Sequence, residues 1–170
     1  MIAAFRNALL SLLPTSEDVL VRQLSTMQDR DWTPLAELFA ARLPEFDAVI
    51  AMPDTQLMAQ QVARMRGVPL LDAQFSESGL QLYAGGIGGE ALLLTAHLKA
   101  GDAEADVTEQ AKAQGLLVTV VGAAVERTSL GGRNRLTLHG VTVRAAMQVA
   151  DTPGGLNIER RAPDRWTASA

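Results

Sequence analysis

Cysteine is missing from this 170-residue sequence, and histidine occurs only twice, at His97 and His139. Without thiols the chain can form no disulfide bond, no thiolate-bound zinc site and no cysteine nucleophile. Two histidines are also too few for a metal site built from several imidazole groups. We therefore expect neither a disulfide framework nor a metal site.

Lysine is as scarce as histidine, because it occurs only at Lys99 and Lys112, whereas the sequence has 13 arginines. The formal net charge is −4 and the isoelectric point is about 5.1. Proteins that bind a nucleic-acid backbone ordinarily present a basic surface. We therefore expect no nucleic-acid partner.

No apolar run approaches the roughly 20 residues that a membrane-spanning helix requires. Residues 1–13 are apolar, but they contain a single basic residue, Arg6, and no small-x-small cleavage site follows. Their larger apolar side chains recur at helical spacing, at Ile2, Phe5, Leu9 and Leu12. We expect a buried helix face here, no membrane partner and a cytoplasmic protein.

Two further helices are predicted before the first strand. One begins near Thr15 or Ser16, where cap-type side chains precede two acids. The other covers residues 33–43, with Pro34 in its first turn. The apolar positions of the first are Val19, Leu20 and Leu24, and those of the second are Trp32, Leu35, Leu38 and Phe39.

From residue 47 onward, short apolar runs alternate with helical segments. The predicted strands are residues 47–52, 68–71, 91–95 and 116–124, and the helices between them are residues 56–66 and 103–114. This order is typical of a parallel sheet covered on both faces. We predict the α/β fold class, with a mostly parallel central sheet of about four or five strands flanked by helices on both faces, and with N-terminal helices. Leu92–Leu94 and Val118–Val121 should be fully buried near the sheet centre.

The segment between residues 74 and 90 is polar and rich in glycine. Its run Gly85–Gly89 resembles a phosphate-binding loop, but no helix with a Lys-Ser/Thr pair follows it. We therefore favour a hairpin that turns through these glycines.

The sequence turns polar after residue 150. We predict a single domain over residues 1–150 and a C-terminal extension and tail over residues 151–170. Within the tail, Arg160 and Arg161 are interpreted as a solvated patch.

Two stretches resemble the adenine and xanthine phosphoribosyltransferases, which are type I phosphoribosyltransferases of purine salvage. The first covers residues 125–136 and 140–145, and it matches the family's apolar-Glu pair, loop, Gly-Arg-x-x-Leu motif and following strand. The second covers residues 46–71 and follows the family pattern D-x-V-x-G…A…A…L-G-V-P. Together with the element order, the resemblance covers roughly residues 16–150 and implies the family's α/β fold.

The family's phosphoribosyl pyrophosphate motif is degenerate in this sequence. In the family, two adjacent acids hydrogen-bond the ribose hydroxyls, and a Gly- and Thr-rich loop binds the 5′-phosphate at a helix N-terminus. The positions of the acids hold Thr95 and Ala96, and the loop positions hold Lys99, Ala100, Gly101, Asp102 and Ala103. Losing two charge-assisted hydrogen bonds costs about 1.5–3 kcal/mol each, and Asp102 adds repulsion toward phosphate.

The pyrophosphate side of the motif is altered as well. The family follows its first strand with a turn that ends in Arg-Gly or Lys-Gly. The matching residues here, Pro53, Asp54 and Thr55, include neither a basic residue nor a glycine. The family's mobile catalytic loop corresponds to a shortened region at residues 81–90.

The resemblance thus implies a purine phosphoribosyltransferase-like protein without catalytic residues, retained for ligand binding or regulation and needing no cofactor. A divergent active nucleobase phosphoribosyltransferase stays open, and it would need Mg²⁺ and use Lys99, Asp102 or His97 in new roles. A structural partner of another protein is the third possibility. By analogy with the family, we expect a nucleotide or nucleobase ligand and a homodimer.

Individual acids carry alternative interpretations. Asp102 and Glu104 are either paired catalytic carboxylates or first-turn acids that complement a helix dipole. His97 is either a general base or a structural residue. Glu126 is expected to be structural, paired with Arg133 or Arg135.

Overall fold

The computed structural model describes residues 2–159. The helices are α1 (Ala3–Leu10), α2 (Glu17–Thr26), α3 (Asp29–Arg42), α4 (Gln56–Arg66), α5 (Asp102–Ala113) and α6 (Gly132–Leu138). The strands are β1 (Ala48–Ala51), β2 (Leu70–Asp72), β3 (Gln74–Ser76), β4 (Gly79–Gln81), β5 (Gly89–Leu98), β6 (Leu116–Arg127), β7 (Thr142–Thr152) and β8 (Gly155–Ile158). Within residues 2–159, no helix is long and apolar enough to span a bilayer.

The main sheet has six strands in the order β2-β1-β5-β6-β7-β8. The first five of these pair in parallel, and β8 pairs antiparallel with β7. The predicted mostly parallel α/β fold is confirmed. The predicted number of four or five strands is too low, because the edge strand β8 (GLNI) contains no continuous apolar run.

Strands β5 and β6 occupy the centre of this sheet. Leu92–Leu94 are buried, as are the three valines of Val118–Val121, while Thr119 is partly buried. The predicted central position of both runs is confirmed, but the prediction of full burial is wrong at Thr119. A strand tolerates apolar side chains on both faces only when both faces are covered.

Alternation along the central strands divides the core between two faces. Leu92 and Leu94 belong to the cluster that α1–α4 cover, and Leu93 belongs to the cluster that includes α5 and α6. Successive side chains of a strand point to opposite faces, so one strand supplies both clusters. Helices on both faces are therefore confirmed.

The N-terminal helices deviate from the sequence pattern in detail. Helix α3 begins at Asp29 rather than at residue 33, because the Asp31 carboxylate accepts a 2.8 Å hydrogen bond from the Gln28 N–H and closes the first turn. Pro34 therefore lies in the second turn, where it removes one helical hydrogen bond. In α2, Val19 is 37% exposed, so its predicted position on the buried face is wrong.

The other apolar positions predicted for helices α1, α2 and α3 are buried or partly buried. Phe5, Leu9, Leu20, Leu24, Trp32, Leu35 and Phe39 are buried, and Ile2, Leu12 and Leu38 are partly buried. The helical spacing thus identified the face that packs on the sheet.

The hairpin forms earlier in the chain than predicted. Strands β3 and β4 pair antiparallel, and the Ser76 side chain accepts a hydrogen bond from the Ser78 N–H to close their turn. Gly85 and Gly86 have positive φ angles of 61° and 81° and form a bend outside this hairpin. The hairpin turn predicted within Gly85–Gly89 is wrong, because a serine closes the turn of the observed one.

The C-terminal part of the described chain joins the sheet. Strand β7 continues past residue 150 to Thr152, and its antiparallel partner β8 also pairs with Thr15 through a 2.7 Å hydrogen bond from the Leu156 N–H. The predicted division after residue 150 therefore falls inside a strand. Arg160, Arg161 and the rest of the predicted tail lie outside the described residues.

Candidate ligand-binding cleft

The two degenerate loops lie side by side. β1 and β5 are parallel neighbours, so the residues that follow them meet at the carboxyl edge of the sheet. The buried Thr55 joins them, because its hydroxyl lies 3.0 Å from both the Met52 and the Leu94 carbonyl oxygens. The sequence placed these residues in one site, and the structure brings them together.

Two cavities flank the meeting point of these loops. The first has a volume of about 480 Å³ and the second a volume of about 400 Å³. Pro53, Asp54, His97 and Lys99 line both cavities. The cavities thus form one cleft with a shared wall.

The first cavity is mainly apolar and lies beneath the N-terminal helices. Trp32 forms part of its wall and packs against Phe5, with ring centroids 5.8 Å apart. The other apolar lining residues are Val21, Leu24, Met27, Leu57 and Ala96.

The second cavity lies at the N-terminus of α5. Gly101 precedes the helix with a φ angle of 78°, a conformation that favours glycine. The remaining lining residues beyond the shared wall are Met52, Phe75, Thr95, Ala100, Asp102, Ala103 and Glu104. The predicted phosphoribosyl-loop residues therefore all line one of the two cavities or their shared wall.

Glu104 turns inward from α5 and is 6% exposed. Its Oε1 accepts a 2.8 Å hydrogen bond from the Thr95 hydroxyl, and burial raises its pKa. Neither sequence interpretation of Glu104, as one of two paired catalytic carboxylates or as a first-turn acid that complements the helix dipole, predicted its burial against Thr95. Its spacing from the buried Val107, Thr108 and Ala111 could have revealed it.

Asp54 places a second carboxylate in the cleft. Its Oδ1 accepts a 3.3 Å hydrogen bond from the Ala96 N–H. Desolvation by the surrounding protein raises its pKa. The positions where the family has acids thus each lie against a carboxylate from another element, Thr95 against Glu104 and Ala96 against Asp54.

Asp102 has a different environment from Glu104. Its side chain is 70% exposed, and its Oδ1 lies 3.1 Å from Nη1 of Arg135 on α6. Arg135 also donates a 2.9 Å hydrogen bond to the Ala100 carbonyl. The two acids thus differ in both burial and partner.

Lys99 forms an ion pair with Glu17, the first residue of α2, at the edge of the cleft. Its Nζ lies 3.0 Å from Oε1 of Glu17, whose Oε2 accepts a 2.6 Å hydrogen bond from Arg127. Arg127 is buried and also binds Asp151. Hydrogen bonds from Lys99 and Arg127 lower the pKa of Glu17. Sequence reasoning missed this cluster, because its members lie far apart in the chain.

Glu126 pairs with Arg133, as one of the two alternatives predicted. Arg133 donates hydrogen bonds of 2.9 Å from Nε and 2.6 Å from Nη2 to the two carboxylate oxygens. Gln148 donates a further hydrogen bond to Oε2. Glu126 lies outside the linings of both cavities.

His97 lies in the shared wall and is 9% exposed. Its Nε2 has no hydrogen-bond partner within the described residues. Burial lowers its pKa to about 4. The imidazole is therefore neutral at physiological pH and able to donate from one nitrogen and accept at the other.

No group of three or more His, Asp or Glu side chains is arranged to hold a metal ion within residues 2–159. Each carboxylate in the cleft has another partner instead. Glu104 accepts a hydrogen bond from the Thr95 hydroxyl, Asp54 accepts one from the Ala96 N–H, and Asp102 pairs with Arg135.

Similarity to solved structures identifies the fold. Orotate phosphoribosyltransferase from Aeropyrum pernix superposes with a TM-score of 0.62 at 18% identity, covering 71% of this chain and 72% of that chain. Adenine phosphoribosyltransferase from Giardia lamblia, complexed with 9-deazaadenine, gives a TM-score of 0.62 at 15% identity, over 76% and 84% of the two chains. This chain has the type I phosphoribosyltransferase-like fold.

A third structure of this fold was determined with several ligands. Adenine phosphoribosyltransferase from Trypanosoma brucei, in complex with AMP, pyrophosphate and ribose-5-phosphate, gives a TM-score of 0.61 at 12% identity, covering 82% of this chain and 71% of that chain. No protein-family model and no curated protein matches the sequence. The similarity between this chain and the solved structures is therefore a similarity of fold rather than of sequence.

Proposed function

We propose that this protein binds a nucleobase- or nucleotide-related ligand in the cleft and does not transfer a phosphoribosyl group. The observation that carries the proposal is the charge at the N-terminus of α5. Asp102 and Glu104 occupy the first turn, and Asp54 lies in the wall that the two cavities share. A phosphate group at this helix end would meet carboxylates where a transferase of this fold needs backbone donors and hydroxyls.

The energetic balance supports the absence of transfer. Two like charges about 4 Å apart repel by about 4 kcal/mol at the effective dielectric constant of a protein surface. Lys99 offsets little of this repulsion, because Glu17 already holds its ammonium group. Transfer requires the phosphoribosyl group to be held in position while positive charge develops on the ribose.

The test is an assay with adenine, guanine, hypoxanthine and xanthine at saturating phosphoribosyl pyrophosphate and Mg²⁺. We expect no nucleotide product from any of the four bases. Formation of a nucleotide that Glu104→Gln abolishes, while the surface variant Glu109→Gln retains it, would overturn the proposal.

A divergent active transferase is the second candidate, favoured by the two carboxylates that lie against Thr95 and Ala96. In that case Glu104 and Asp54 would take over the contacts with the ribose hydroxyls. The same assay separates the candidates, because only the active one forms a nucleotide.

The oligomeric state and the cellular location are also proposals. A homodimer is proposed from the resemblance to purine phosphoribosyltransferases, and light scattering at micromolar concentration tests it by distinguishing a dimer from a monomer of 18.1 kDa. Cytoplasmic location stays a prediction that fractionation would check.

A further inference from the structure

The cleft offers two chemically different compartments to a single ligand. Because Pro53, Asp54, His97 and Lys99 line both cavities, one molecule can cross the shared wall and occupy both. The volumes, about 480 and 400 Å³, each fall within the range of small-molecule sites.

The first cavity suits a flat, largely apolar ring. Trp32, Leu24 and Met27 form its inner wall, and Leu57 and Val21 are partly exposed at its opening. Burying a ring against these side chains removes apolar surface from water. Pro53, in the shared wall, extends the apolar surface toward the second cavity.

His97 provides an unused hydrogen-bonding group between the compartments. Its side chain is nine-tenths buried, and its Nε2 has no partner within residues 2–159. A buried polar atom without a partner is costly. A ligand N–H or ring nitrogen that reaches Nε2 would satisfy it, and the neutral imidazole can serve either group.

The second cavity favours ligand groups that donate hydrogen bonds and disfavours charged ligand groups. Carboxylates accept hydrogen bonds, and Glu104 and Asp54 both line it. A ligand phosphate meets repulsion from these two acids, whereas the third acid, Asp102, is already paired with Arg135. A cationic ligand meets Lys99 in the shared wall. A neutral hydroxyl group meets neither repulsion and can donate a hydrogen bond to a carboxylate oxygen.

We infer that the cleft binds an uncharged ligand that joins a flat heteroaromatic ring to a hydroxyl-bearing group, which is the chemistry of an unphosphorylated nucleoside. The ring occupies the first cavity, and the hydroxyl groups donate to Glu104 and Asp54 in the second. This inference rests on the proposed binding function and narrows its ligand to the form without phosphate.

The test is calorimetric titration of the full chain with adenosine, guanosine and inosine, with their 5′-monophosphates and with the free bases. We expect at least one nucleoside to bind about tenfold or more tightly than its monophosphate, since a like-charge contact opposes the phosphate. Glu104→Gln should weaken nucleoside binding and reduce this ratio toward one. Glu109→Gln makes the same chemical change on the exposed side of α5 and should leave both affinities unchanged.

The outcomes separate this inference from the proposed function. Tighter binding of a monophosphate than of its nucleoside, or binding of a free base alone, would overturn the inference and leave binding without transfer intact. Nucleotide formation in the transferase assay would instead overturn the proposed function. If Glu104→Gln does not fold, Asp54→Asn in the loop after β1 replaces it, with the same expected loss of preference.

Discussion

At the scale of single residues, Glu104 departs most from what its residue type prefers. Glutamate is seldom fully buried without a charged partner, yet Glu104 is 6% exposed and accepts its hydrogen bond from the Thr95 hydroxyl. Burial stabilises the protonated acid relative to the carboxylate, and the hydrogen bond from Thr95 offsets only part of this effect on the pKa of Glu104. It makes Glu104 a sensitive probe of the cleft.

Replacing Glu104 with glutamine should therefore stabilise the protein more at high pH than at low pH. Burial raises the pKa of Glu104 above its ordinary value of 4.5, so the folded state binds the proton more tightly than the unfolded state. The resulting stability is present below pH 4.5 and is lost as the pH rises through the folded-state pKa. Glutamine does not ionise and avoids that loss.

Urea denaturation across a pH series measures this effect as the difference in unfolding free energy between variant and wild type. We expect the difference to grow in favour of Glu104→Gln with rising pH. The exposed Glu109→Gln variant should show the opposite trend, because the hydrogen bond with His139 lowers the pKa of Glu109 and its contribution to stability is present at higher pH. A difference for Glu104→Gln that is constant with pH would contradict the buried, shifted carboxyl group.

The limits of sequence reasoning are clear at this scale. The resemblance to the phosphoribosyltransferases placed Thr95, Ala96 and Asp54 in one site, and the ends of adjacent parallel strands bring these residues together. It did not reveal the contact between Lys99 and Glu17, which are 82 positions apart, since no local pattern records such a pair. It also did not predict the burial of Glu104 against Thr95.

At the scale of elements, the start of α6 packs directly on the end of β5. A Cβ atom added to Gly132 would lie within van der Waals overlap of the Lys99 carbonyl oxygen and 3.1 Å from the Leu98 side chain. The Gly-Arg-x-x-Leu motif therefore has a structural explanation in this chain. Its glycine permits the close approach, and its Arg133 pairs with Glu126.

Replacing Gly132 with alanine should destabilise the fold by about 1–3 kcal/mol, because the added methyl group must displace backbone atoms. Thermal or urea denaturation measures the change. Gly154→Ala is the matched control, since its added Cβ would have its nearest neighbour at 3.9 Å. Equal stability of the two variants would show that α6 and β5 are less tightly packed than the structure indicates.

The ion cluster that joins α2 to the sheet gives a second prediction at this scale. Arg127→Met removes the hydrogen bonds to Glu17 and Asp151 and should destabilise the protein by about 1.5–3 kcal/mol, the range for hydrogen bonds to charged groups. Arg30→Met is the control, because the Arg30 side chain is 82% exposed and its Nε lies 3.9 Å from Oδ1 of Asp31. It should cost less than about 0.5 kcal/mol. Equal effects of the two variants would assign no stabilising role to the cluster.

At the scale of the whole molecule, the apolar runs determined most of the predicted architecture. Leu92–Leu94 and Val118–Val121 indicated central strands, and the helices between them implied parallel connections. The pattern failed where pairing depends on backbone groups rather than apolar side chains. Strand β8 joins the sheet through β7 and Thr15, and the β3–β4 hairpin closes on a serine.

The central claim is that this phosphoribosyltransferase-like fold has a cleft that no longer accepts phosphoribosyl pyrophosphate. Calorimetric titration of the full chain with phosphoribosyl pyrophosphate and Mg²⁺ tests it most directly. We predict no saturable binding up to about 1 mM ligand, which corresponds to a binding free energy weaker than about −4 kcal/mol. Saturable binding at micromolar concentration, weakened by substitutions at Lys99 or Gly101, would contradict the account.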